Sequence, residues 1–120
     1  YAVTPSVAVW ETSSAGGAPN PYCQISNYNG SGNEVADQWL ISPSIDLSSS
    51  SNPRLQFENA YNYGGDPLEV YVSNDYVSGS PQTGTWTNLT SFAIWSGGSW
   101  VFVNSGEINL APYAGSNVHI

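Results

Sequence analysis

The sequence predicts an all-β protein, an antiparallel β-sandwich of the jelly-roll kind, and three observations predict it. Short runs rich in Val, Ile, Leu, Tyr and Trp alternate apolar with polar positions. Clusters of Gly, Pro, Asn and Ser interrupt these runs at residues 13–21, 27–33, 48–53, 63–67, 78–84, 96–99 and 111–117. Nowhere does a window of about ten residues carry a 3.6-residue apolar stripe with a cap and a stop, so helix should be nearly absent. Roughly eight short strands separated by turns bury their apolar faces only by stacking as two sheets. A chain of 120 residues with 40% hydrophobic content can do so as one domain over residues 1–120.

The expected strands run as follows. The first two cover residues 7–12 and 22–27, and in the second the run Tyr22-Cys23-Gln24-Ile25 places Cys23 as a small buried core thiol. Next comes Trp39-Leu40-Ile41-Ser42-Pro43-Ser44-Ile45-Asp46-Leu47, a strand over 39–45 interrupted by a residue with no N–H to give a ladder. Proline is tolerated in a sheet at an edge or a bulge, so the chain should kink at Pro43, with Ile45 and Leu47 rejoining the core beyond it. Residues 54–58 point Leu55 and Phe57 inward, and residues 68–73 put Leu68, Val70 and Val72 on one face. A strand follows at 86–89, then a long one at 100–110 broken near Ser105-Gly106, and Asn117-Val118-His119-Ile120 closes the series. Trp39, Trp86 and Trp100 fall inside these patterns and read as core.

Charge limits the partners. Nine acidic residues against the single base Arg54 give a net charge of −8, which repels nucleic acid and anionic membrane surfaces, and no run is long enough to insert in a membrane. Charged residues make up only 8% of the chain, so hydroxyls and amides carry solubility, in the manner of an extracellular surface. One cysteine allows no intrachain disulfide. With His119 as the only histidine there is no Cys/His set for zinc and no partner for a nucleophilic thiol.

Taken together, Asp37-Gln38-Trp39-Leu40-Ile41-Ser42-Pro43-Ser44-Ile45-Asp46-Leu47, then Leu55-Gln56-Phe57, then Leu68-Glu69-Val70-Tyr71-Val72-Ser73-Asn74-Asp75-Tyr76 and Trp86-Thr87-Asn88-Leu89 resemble the choice-of-anchor J and cleaved-adhesin domains. These are MAM-like jelly rolls of secreted bacterial proteins, the adhesin domains of gingipains among them. The resemblance runs from about Tyr22 to Ile120. It implies a non-catalytic extracellular module, often attached to proteases, nucleases or surface-anchored proteins, and calcium-bound in some members. A typical member has a further strand at its start with a Phe-Glu-like pair, and an aromatic-rich strand and a Trp-containing acidic segment at its end. On that comparison the first and last strands are missing here. Either the sequence is a fragment, or the edges left open are completed by another chain, which would allow self-association through the sheet edges.

Candidate sites come from residue type and place. Tyr61 and Tyr63 stand before Gly64-Gly65, and Trp95 before Ser96-Gly97-Gly98, so these three lie at loop mouths where aromatic faces can grip a sugar ring or close an interface. Calcium requires hard oxygen ligands along a loop, and Glu34, Asp37, Asp66, Asn74 and Asp75 are the candidates, each with the alternative of an ordinary side-chain turn. Glu58 and Glu69 could form a carboxylate pair for glycoside hydrolysis but have no acid-base constellation around them, and solvated strand faces explain them better. Asn29-Gly30-Ser31 and Asn88-Leu89-Thr90 match the N-glycosylation sequon.

The expectation is therefore a secreted or cell-surface module that is not an enzyme, with an adhesive or carbohydrate-binding role and a glycan or a surface protein as partner. A subunit that builds an extracellular filament by strand exchange at open sheet edges is the alternative.

Overall fold

Each alternating run is brief, and the ladders it forms are brief too. The computed structural model describes residues 1–3, 8–15, 21–63 and 68–120. Among these, ten β-strands of two or three residues pair two by two, every pair antiparallel, with 3₁₀ turns at Pro81–Thr83, Thr90–Phe92 and Ala111–Tyr113 and no α-helix. The protein is all-β. Its contacts gather into two compact units, Tyr1–Ile41 with Gly79–Pro81, and Ser42–Ser78 with Gln82–Ile120.

In the first unit β1 (Glu11–Ser13) pairs with β2 (Tyr22–Gln24), setting Glu11 opposite Gln24 and Thr12 opposite Cys23. The Gln24 carboxamide donates to the Glu11 carboxylate at 2.8 Å, a cross-strand pair of the kind that fixes register. Cys23 is exposed rather than buried, because both faces of this short ladder carry polar residues. The first residues run antiparallel to residues 37–39: the Tyr1 ammonium donates to Trp39 O at 2.6 Å, Trp39 N to Tyr1 O at 2.7 Å, and Val3 N to Asp37 O at 2.8 Å.

The second unit holds the apolar core. Here β4 (Arg54–Leu55) pairs with β9 (Ile108–Asn109), and β5 (Glu58–Asn59) with β8 (Val103–Asn104). Leu55 faces Ile108 and Glu58 faces Asn104, so Gln56 and Phe57 lie across from Ser105, Gly106 and Glu107. One extra residue on the second strand is a β-bulge, and Gly106 takes the positive φ of 73° that such a bulge needs. Ser105, fully buried, fills the gap: its N–H donates to Phe57 O at 2.8 Å and its hydroxyl accepts from Phe57 N at 2.9 Å.

A second set of ladders joins β6 (Tyr71–Val72) to β7 (Thr87–Asn88), and β10 (Asn117–Val118) to β3 (Ile45–Asp46). A bridge with reciprocal hydrogen bonds of 2.8 and 2.9 Å between Ser73 and His119 links β6 to β10. Leu47, Val72, Leu89, Ile108, Leu110 and Val118 form one buried cluster, with Leu55, Phe57, Val70 and Ile120 packed against it. Both sets of ladders contribute to it. Full burial of a side chain such as Ile108 or Val72 stabilises the fold by about 1.5–3 kcal/mol.

The segment around Pro43 departs from expectation. The strand expected over 39–45 is not formed, and only Ile45–Asp46 enters a ladder. Pro43 is exposed, while Ser42 on its near side gives its N–H to Ile120 O at 2.9 Å and accepts on its hydroxyl from Ile120 N at 3.0 Å. The proline thus sits in a gap between pairings, where its missing donor costs nothing. Leu47 is buried beyond the gap as expected, but Ile45 is exposed on a strand only two residues long. Leu68 is exposed as well, because the ladder begins at Tyr71 and leaves it outside the paired segment. Trp39 and Trp86 are half-buried; Trp100 is exposed and outside the strand expected to hold it.

Candidate functional site

The site is built outward from Asn59, the last residue of β5. Its side chain is buried and satisfied on both sides: the carboxamide N–H₂ group donates to Ile94 O at 3.0 Å and Val103 O at 3.2 Å, and its oxygen accepts from Ser96 N at 2.8 Å. A buried amide bonded to three backbone groups fixes where the next loop starts. Ser96, also buried, closes that loop: its hydroxyl donates to Val101 O at 2.8 Å and accepts from Gly98 N at 3.3 Å.

Between those anchors, Gly98 to Val101 form a turn in which Val101 N donates to Gly98 O at 3.4 Å. Both central residues have positive φ, Ser99 at 62° and Trp100 at 58°. Turns of this primed kind favour Asn-Gly or Gly, and a tryptophan there costs roughly 1–2 kcal/mol in backbone strain. The turn is held against the facing loop by Trp100 N to Tyr61 O at 3.2 Å and Ser99 N to the Asn62 side-chain oxygen at 3.3 Å. On that loop Tyr63 also has a positive φ, 67°.

The result is an aromatic corner. Tyr63 is 76% exposed and Trp100 56%, and their rings meet edge to face with centroids 5.9 Å apart and planes at 86°. The Tyr61 ring, 43% exposed, lies over Gly98, where an added Cβ would come 3.8 Å from its Cε1. Asn62, Ser96 and Ser99 hold the two loops: the Ser96 hydroxyl through Val101 O and the Asn62 oxygen through Ser99 N. Three strained, non-glycine residues in one place cluster where the surroundings enforce them, a pattern associated with binding sites. The chain matches no protein-family model, no curated protein and no solved structure.

Tyr61 and Tyr63 are thus brought together, but their companion is Trp100. Trp95 instead tilts onto Phe57 with centroids 5.7 Å apart and donates its indole N–H to Thr90 O at 3.0 Å, a half-buried position against the core. Trp100 had a sequence signal of its own: it follows Gly97-Gly98-Ser99, the mirror of Tyr63 before Gly64-Gly65. Its place at the head of an apolar run concealed it.

Three of the oxygen ligands expected for calcium accept hydrogen bonds from the chain itself. Glu34 accepts from the Asn29 carboxamide at 2.8 Å, and Asp37 accepts from the Trp39 indole at 2.8 Å. Asp75 accepts from Thr85 N at 2.7 Å and from the Ser73 hydroxyl at 2.8 Å, which, together with the Thr85 hydroxyl, hold its carboxyl below the ordinary value of 3.8. Asn74 is exposed beside it, and Asp66 lies outside the described residues. Calcium takes six to eight oxygens, whereas among the described residues no three acidic, histidine or cysteine side chains gather. The hydrogen bonds described are those of side-chain turns. Glu58 sits in β5 opposite Asn104, while Glu69 accepts from the Tyr71 hydroxyl at 2.8 Å next to the β6–β7 ladder, so their strands are not ladder partners.

Proposed function

We propose that this chain is a non-catalytic adhesion module, secreted or displayed at a cell surface, that binds carbohydrate through Tyr61, Tyr63 and Trp100. The reading takes the fold as a two-layer jelly-roll sandwich of the choice-of-anchor J and cleaved-adhesin type, supported by one apolar cluster fed from both sets of ladders. One observation carries the function: three aromatic side chains stand exposed together, two of them, Tyr63 and Trp100, on backbone of positive φ. An aromatic face covers the apolar C–H face of a pyranose ring, and neighbouring amides and hydroxyls satisfy its rim. A bare aromatic cluster on a chain this poor in charge is otherwise a solubility cost.

The test is a glycan array read with the wild-type protein and with a Tyr63→Ala, Trp100→Gly double variant. Glycine accepts the left-handed backbone at position 100, so the variant keeps its fold and its melting temperature. Binding by the wild type and its loss in the variant is the expected result. A wild type that binds no glycan, or a variant that binds as well, retires the reading.

A further inference from the structure

We infer that the corner takes the terminal residue of an uncharged glycan end-on, and that it does not lie along an extended or crystalline polysaccharide. The inference rests on the carbohydrate reading and adds the class of ligand to it. A flat polysaccharide chain presents successive sugar faces in one plane and needs coplanar aromatic rings to lie on. Here the planes of Tyr63 and Trp100 stand at 86° with centroids 5.9 Å apart, so no two sugars of a straight chain can stack on both. Perpendicular walls suit a single ring instead: one wall takes its C–H face, the other meets its edge. Both rings protrude, at 76% and 56% exposure, so the corner is reached from solvent by the tip of a glycan.

Charge selects among the tips. Arg54 is the only Lys or Arg in the chain, and it is engaged elsewhere. Its guanidinium donates to the Asn109 side-chain oxygen at 2.6 Å and to Pro53 O at 3.1 Å, and it lies 3.9 Å from Glu107. No lysine or second arginine exists to pair with the carboxylate of a sialic or uronic acid or with a sulfate, and the net charge of −8 opposes all three. The Asn62 carboxamide, whose oxygen accepts from Ser99 N beside Trp100, suits neutral hydroxyl and acetamido groups.

The experiment titrates the protein, by its tryptophan fluorescence, with neutral oligomers of β-linked glucose, galactose and N-acetylglucosamine one to six units long. The same oligomers capped with sialic acid, and suspensions of crystalline cellulose and chitin, complete the set. The expected result is an affinity that changes less than about threefold from two units to six, falls at least about tenfold on capping, and gives no retention on either crystalline polymer. Affinity that climbs about tenfold or more with length, retention on a crystalline polymer, or indifference to capping overturns the end-on inference and leaves carbohydrate binding standing. Failure of every glycan to bind removes both.

Discussion

Two groups of aromatic rings in the second unit use the same residue types to opposite ends. In one, Tyr76 lies between Trp86, at 5.3 Å and 45°, and His119, at 5.1 Å and 85°. All three are half-buried on ordinary backbone, and His119 is fixed further by its Nδ1 at 2.9 Å from Ser42 O. In the other, Tyr61, Tyr63 and Trp100 are exposed, and two of the three sit at positive φ. The first group places its aromatic surface where packing rewards it. The second keeps strain that a glycine would relieve and leaves its surface in water. Composition cannot tell them apart; the sign of φ and the direction of the hydrogen bonds can.

Truncation should separate the groups most widely. Trp86→Ala removes a half-buried ring from contact with Tyr76 and should cost about 2–3 kcal/mol, somewhat below the range for a fully buried tryptophan. Trp100→Ala removes only an edge-to-face contact with Tyr63 and should cost about 1 kcal/mol or less. Urea denaturation of both variants measures the difference, and equal losses would erase the distinction between packing and display. Glycines sharpen it. A Cβ on Gly84 would stand 2.7 Å from Tyr76 Cβ and 3.1 Å from its Cα, neither of which can swing away, so Gly84→Ala should cost roughly 1–3 kcal/mol. Gly97, in the loop that carries Trp100, has nothing within 4 Å of such an atom, and Gly97→Ala should be neutral to within about 0.5 kcal/mol. Melting curves that rank the two the other way would place the rigid packing at the wrong end.

The sequence made the first group's surroundings readable and hid the second. Alternation located Val70 and Val72, Leu55 and Phe57, and Val118 against the core, because period two follows from the pleat itself. The slip at Ser105-Gly106 was readable for the same reason, since a glycine in a strand marks a bulge. Alternation does not say how far a ladder extends or whether a face is covered. Leu68 and Ile45 keep the right parity and remain exposed, as does Cys23, and residues 39–44 keep an apolar pattern without a ladder. Trp100 was lost to the same ambiguity: the strand resumes at Val103, and three residues of left-handed turn and its exit lie between. Nor does period two report how sheets stack.

The smallest effect concerns the clasp that holds the packed group. The Asp75 carboxylate joins the end of the β6 strand to the segment leading into β7: it accepts from Ser73 Oγ and Thr85 N, while Ser73 Oγ accepts from Tyr76 N at 3.0 Å. Its pKa is lowered from 3.8, first by the Thr85 N–H, then by the Thr85 and Ser73 hydroxyls, with slight opposition from desolvation. A carboxyl whose pKa is lower folded than unfolded stabilises the fold in full above the unfolded value, and that contribution fades as pH falls through the folded one. The melting temperature of the wild type should therefore exceed that of Asp75→Asn by a constant margin between about pH 7 and 5 and by a shrinking one below about pH 4. Asp46, lowered in the same way by the Ser48 hydroxyl and N–H, keeps the variant acid-sensitive, so the readout is the gap between the two proteins and not the slope of either. A gap that persists unchanged at pH 3 would mean that the advantage of Asp75 over an amide does not come from its charge.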